Sequence, residues 1–178
     1  INFKNKIDKI NLKQSGIIII SKSGNTPETL SQFSSLIEIF DQNNSLETLY
    51  NNSLIITENN DSPLAKIAHI NNCKLLYHEK DIGGRYSLFS NVGMVPAIIA
   101  GIDVKSIHLG AQNQIKNLDQ DNYLRIGQIF RYQNFNNNFT NNIIMTYSDS
   151  LLHFGKWYLQ LWAESIGKEG IGITPMHA

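Results

Sequence analysis

The stretch Gly16-Ile17-Ile18-Ile19-Ile20-Ser21-Lys22-Ser23-Gly24-Asn25-Thr26-Pro27-Glu28-Thr29 passes from four consecutive isoleucines through six polar or flexible residues to a proline. A continuous β-branched run is the pattern of a strand buried on both faces of a parallel sheet. Proline suits the first position of a helix, where the N–H it lacks would have no partner anyway. The segment therefore predicts a strand, a tight loop and a helix start. Such a junction aims free backbone N–H groups and the positive end of the helix dipole at one point. Ser21, Ser23, Thr26 and Thr29 add hydroxyls around it, Lys22 adds a cation, and no carboxylate occurs before Glu28. The guest that fits is a phosphate group on a small molecule. The competing reading is an ordinary helix capped by Thr26.

Working outward, Phe3, Ile7 and Ile10 are spaced for a short amphipathic helix, and Leu30, Phe33, Ile37 and Phe40 share one face of a helix that Asn43-Asn44 ends. Leu54–Thr57 predicts a second buried strand, Ser62-Pro63 a helix start, and Lys74–Tyr77 a third strand. Strands alternating with helices over short connections imply parallel neighbours, because a parallel pair requires a crossover. The predicted fold class is α/β, a three-layer α/β/α sandwich on a mainly parallel sheet. Phe89–Gly101 predicts an apolar helix broken or kinked at Pro96. Beyond it come two helical segments across Asp103–Gln133, an Asn-dominated linker over 134–142, and Ile143–Tyr147 as the first strand of a second sheet. Leu151–Glu164, with Phe154, Trp157, Tyr158 and Trp162, predicts an aromatic-rich helix. The chain thus divides into a first domain at 1–103, a connector at 104–142 and the start of a second domain at 143–178.

At 178 residues and 42% hydrophobic, the chain can bury one core, or one core and part of another. Fifteen basic and fifteen acidic residues cancel, and no basic run occurs, so nucleic acid and anionic membrane are poor partners. The single cysteine, Cys73, excludes an internal disulfide and a cysteine-based metal cluster, and is expected as a small buried hydrophobe. No stretch approaches the roughly 18 apolar residues of a membrane span, and no signal peptide opens the chain, so a cytoplasmic setting is expected. A first residue Ile1 and an ending in a Gly-rich segment suggest part of a longer protein. The five histidines show no ligand spacing, so neither metal nor cofactor is expected.

Two further segments carry chemistry. Asp81-Ile82-Gly83-Gly84-Arg85-Tyr86-Ser87 follows the third strand, where open α/β sheets place ligands. Its paired glycines permit close backbone approach, and Arg85 supplies a planar cation. A plain turn with a surface charge reads equally well. In the last helix Gln160 and Glu164 stand four residues apart on one face. Glu164 lies in the final turn, where the helix dipole opposes a negative charge and so favours proton uptake. Periodicity alone favours the plainer reading, a solvated acid paired with Lys168.

In their order and spacing, Ser21-Lys22-Ser23-Gly24-Asn25-Thr26-Pro27-Glu28-Thr29, Gly83-Gly84-Arg85-Tyr86-Ser87 and Gln160-Leu161-Trp162-Ala163-Glu164-Ser165-Ile166-Gly167-Lys168 resemble the glucose-6-phosphate isomerase (phosphoglucose isomerase) family. The resemblance runs from Gly16 onward and implies two sugar-isomerase (SIS) domains and interconversion of glucose 6-phosphate and fructose 6-phosphate through an enediolate. It implies that Ser21, Ser23, Thr26 and Thr29 bind the substrate phosphate with the backbone at Lys22, that Gly84 and Gln160 contact substrate, and that Arg85 stabilises the enediolate while Glu164 is the base. It also implies a phosphosugar as partner and a homodimer. The family's ring-opening His and late Lys are expected after residue 178, since His177 follows Thr174-Pro175 too soon, and its early Gly/Ser-rich motif before residue 1. The chain alone is therefore expected to bind weakly and not to turn over. The alternatives are a non-catalytic phosphosugar-binding module and an isomerase acting on another phosphosugar such as mannose 6-phosphate.

Overall fold

A computed structural model of the chain describes residues 3–118, 125–129, 139–167 and 172–178. The chain forms two compact units, Ile1–Val104 and Lys105–Ala178. Both are α/β, and every strand pairing among the described residues is parallel.

In the first unit β1 (Ile17–Ile20), β2 (Ser53–Thr57) and β3 (Lys74–Tyr77) lie side by side in that order. Helix α1 (Phe3–Ile7) and a 3-10 turn at Leu12–Gln14 precede β1. Helices α2 (Pro27–Gln42) and α3 (Leu46–Asn51) join β1 to β2, and α4 (Pro63–Ile70) joins β2 to β3. Pro27 and Pro63 both start their helices, as their missing N–H groups require. The register sets Ile19 beside Ile55 and Ile55 beside Leu75. On this face Ile19 and Ile55 pack with Phe33, Leu36 and Phe40 of α2, Leu49 of α3, and Leu64 and Ala68 of α4. Cys73 is buried with them, as expected.

Burial on both faces belongs to β2, not β1. Ile55 and Ile56 are fully buried, whereas Ile17, Ile18 and Ile20 are only half-buried. The difference follows from position: among the described residues β1 has a hydrogen-bonded neighbour on one side alone, and a groove of about 580 Å³ lined by Phe3, Ile7 and Leu36 runs along it.

Beyond β3 a 3-10 helix, Gly84–Phe89, leads into α5 (Asn91–Ile99). The expected helix from Phe89 therefore starts two residues later, because Ser90 is extended and its side chain accepts from Val92 N. Helix α5 continues past Pro96 without breaking there.

Helix α6 (Val104–Lys116) begins on the last residue of the first unit, and in the second unit β4 (Asn141–Ile144) pairs in parallel with β5 (Thr174–His177) across the crossover helix α7 (Leu152–Ile166). Strand β4 begins two residues before the expected Ile143 and takes Asn141-Asn142 from the expected linker. Its pairing with Thr174 and Pro175 fixes that start. Of the expected second helical segment, Leu124 and Phe130 lie outside the described residues, as do 134–138 of the linker. Helix α7 approaches β5 closely: a Cβ at Gly155 would overlap the His177 ring. Trp162 Nε1 donates to Ile173 O at 3.0 Å, and His177 Nε2 lies 2.7 Å from Thr146 Oγ1. Among the described residues no helix is long and apolar enough to cross a membrane.

Candidate active site

Parallel strands end at the same edge of the sheet, so the loops after β1, β2 and β3 are neighbours by topology. The loop after β1 holds its hydroxyls in a defined arrangement. Ser21 is buried, its Oγ is 2.7 Å from Thr26 Oγ1, and it accepts from Gly24 N at 3.1 Å. Ser23 is exposed and its Oγ accepts from Asn25 N at 3.2 Å. Thr26 occupies the N-cap position of α2 but makes no side-chain cap. Its hydroxyl is committed to Ser21 instead, so no capping side chain occupies the space before the first-turn N–H groups. Thr29, one turn into α2, also lines the groove along β1.

Gly24 is what lets the loop fold this tightly. Its φ is +67°, and a Cβ there would overlap the Ser62 side chain and crowd Thr57 Oγ1. Ser62 is itself held by its own work, accepting from Ala65 N at 3.3 Å as the cap of α4. Thr57-Glu58-Asn59-Asn60-Asp61-Ser62-Pro63 repeats the pattern of strand end, polar loop and helix-starting proline seen at Ser21–Pro27. That repetition was the available signal that this second loop belongs to the site. Asn60 Nδ2 donates to Ser23 O at 3.2 Å, and Thr57 Oγ1 to Lys22 O at 3.2 Å.

Lys22 does not stand among the hydroxyls as an unengaged cation. Its Nζ donates to Lys80 O and Ile82 O, both at 2.8 Å, and lies 3.4 Å from Glu58 Oε1. Gly83 precedes the 3-10 helix with extended backbone, and a Cβ on Gly84 would meet nothing within 4 Å. Arg85 is half-buried, with its guanidinium carbon 4.9 Å from the Tyr86 ring centroid. Ser87 is buried and donates to Gly84 O, which ties the turn below Arg85. His78, just past β3, is one of the five histidines that carry no ligand spacing in the sequence. It is buried, its Nδ1 donates to Glu79 O at 2.8 Å, and its Nε2 has no hydrogen-bond partner among the described residues.

Gln160 and Glu164 belong to the second unit, on α7, and are both exposed. Gln160 Nε2 donates to Glu164 Oε1 at 3.1 Å, so the expected shared face is realised as a contact. Glu164 lies in the last turn before Gly167, at solvent rather than enclosed among the aromatic rings. The Tyr158 and Trp162 rings pack together tilted by 36°, with centroids 5.6 Å apart. Lys168, the alternative partner of Glu164, lies outside the described residues. No group of metal-ligating side chains occurs among the described residues.

Comparison with known proteins shows the family. A curated protein of Campylobacter jejuni named glucose-6-phosphate isomerase is 33% identical over 179 residues, covering 98% of this chain and 43% of its own length. Its namesake in Methanocaldococcus jannaschii is 32% identical over 96% of this chain and 42% of its own length. A probable glucose-6-phosphate isomerase of Haloarcula marismortui is 31% identical over 97% of this chain and 39% of its own. The chain thus spans about two-fifths of these relatives. Among solved structures, a hypothetical protein of Thermus thermophilus superposes with a TM-score of 0.88 at 24% identity, over 99% of this chain and 44% of its own. A glucose-6-phosphate isomerase from Chlamydia trachomatis gives 0.73 at 20% identity, over 96% and 34%; these two likenesses speak for the fold. The family model described as phosphoglucose isomerase matches residues 1–173. With a match over nearly its whole length, this chain belongs to the phosphoglucose isomerase family.

Proposed function

We propose that this chain supplies the phosphate loop, the enediolate-stabilising cation and the catalytic base of a glucose-6-phosphate isomerase. The observation that carries the reading is the start of α2, where Thr26 leaves the helix uncapped and pairs with the buried Ser21. An uncapped helix start edged by hydroxyls suits a phosphate dianion. In this reading Ser21, Ser23, Thr26 and Thr29, with the Lys22 backbone, hold the phosphate, and Gly84 and Gln160 contact the sugar.

Interconverting an aldose and a ketose moves a proton between adjacent carbons. Glu164 takes it from C2 of the aldose and returns it to C1. Negative charge develops on the oxygens of the enediolate, and Arg85 stabilises it there. A positioned base supplies about 10²–10⁴-fold, so the cation and the fixed phosphate carry much of the remainder. The active species is a cytoplasmic homodimer built from SIS-type domains, of which residues 1–103 belong to the first and 143–178 to the second.

Isomerisation in D₂O tests this in the full-length protein. Deuterium should enter C2 of glucose 6-phosphate and C1 of fructose 6-phosphate. A protein that binds either sugar but neither interconverts them nor exchanges carbon-bound hydrogen is a binding module, and the proposal fails.

A further inference from the structure

Lys22 joins the three loops that follow β1, β2 and β3. Its carbonyl accepts from Glu58 N at 3.0 Å and from Thr57 Oγ1 at 3.2 Å, which fixes it to the end of β2. Its side chain crosses to the loop after β3, donating to Lys80 O and Ile82 O at 2.8 Å, with Glu58 Oε1 at 3.4 Å. An ammonium has three N–H donors. The two carbonyls accept two of them and the Glu58 carboxylate lies at ion-pair distance, so the recorded partners of the ammonium belong to the loops after β2 and β3.

The place of attachment gives this a consequence. Ile82 is the last residue before Gly83-Gly84, and Arg85 follows directly. Two glycines give that hinge wide conformational freedom, which must be restrained if a guanidinium is to meet one point in space. The described contacts hold it from both sides: Lys22 fixes the carbonyls of Lys80 and Ile82 before the hinge, and Ser87 fixes Gly84 O after it. The residue doing this from the β1 side belongs to the hydroxyl loop itself, between Ser21 and Ser23.

We infer that the Lys22 side chain is a positioning residue for Arg85, a brace that sets the distance between the phosphate loop and the stabilising cation without touching substrate. The inference rests on the isomerase reading and deepens it.

The test is a double-mutant cycle in the full-length enzyme with fructose 6-phosphate, read as kcat, KM and inhibition by inorganic phosphate. Lys22→Met should lower kcat by about 30-fold, with KM and the phosphate inhibition constant within about threefold of wild type. Lys22→Arg, which keeps a multidentate cation, should recover part of kcat. In an Arg85→Ala background Lys22→Met should cost less than about threefold more, because the group it positions is gone. Lys22→Gln replaces Lys22→Met in the same cycle should the methionine variant not fold. Weaker inhibition by inorganic phosphate with kcat intact would make Lys22 a phosphate ligand and overturn the inference. Full additivity with Arg85→Ala would overturn it while leaving the isomerase reading standing. Arg85→Ala with unchanged kcat would overturn both.

Discussion

Ser21 and Thr26 face each other across the loop that joins β1 to α2, their hydroxyl oxygens 2.7 Å apart. The pairing diverts Thr26 from capping its own helix and leaves the helix start without a side-chain cap. Thr26→Val keeps the shape and removes the hydroxyl. In the full-length protein it should weaken competitive inhibition by inorganic phosphate about tenfold or more, the range of a lost hydrogen bond to a charged group. Unchanged inhibition would place the phosphate elsewhere.

Gly24 and Ser62 make a second close approach. Gly24→Ala forces an L-residue to φ +67° and drives its Cβ into Ser62, so it should destabilise by about 2 kcal/mol or more in denaturant unfolding. Adding Ser62→Gly opens the space, and glycine at a helix N-cap costs only a few tenths of a kcal/mol, so the double variant should regain part of the loss. No recovery would mean that the φ term alone accounts for the penalty.

How much of this was legible beforehand depends on where the signal lay. The strand, loop and proline at Ile17–Pro27 were readable because each residue type there has a local reason. Helix α3 was not, because Leu46–Asn51 spans too few turns to show periodicity. Strand β5 was missed because Thr174–His177 contains a proline and no β-branched run. The role of the Lys22 side chain could not be read at all. Its partners are backbone carbonyls 58 and 60 residues away, and any residue type can present a carbonyl. The edge position of β1 was hidden for a similar reason, since four isoleucines look alike whether one neighbour or two flank them.

Phe40 is 1% exposed and closes the core between α2, α3 and the sheet. Phe40→Ala should cost about 3–5 kcal/mol by urea denaturation of the full-length protein. Ile70, at 77% exposure, should tolerate alanine within about 0.5 kcal/mol.

Stability should also fall at alkaline pH. Burial raises the Cys73 thiol above its ordinary 9.0, and desolvation raises Tyr158 above 10.0 against an opposing hydrogen bond from Asn142. The folded state therefore holds these protons more tightly than the unfolded state. Their contribution is intact below the unfolded values and is lost as pH rises through the folded ones. Melting temperatures should be level across neutral pH and decline above pH about 9, less steeply in Cys73→Ala. A decline of equal slope in that variant would remove the thiol from the account.

Glu164, in the last turn of α7, is the proposed carrier of the proton. Steady-state turnover of fructose 6-phosphate by the full-length Glu164→Gln protein tests it most directly, because the amide keeps the size and the Gln160 neighbour but cannot act as a base. A correct account predicts kcat lowered by about a hundredfold or more, with KM little changed. A rate within about tenfold of wild type from a properly folded variant would contradict it.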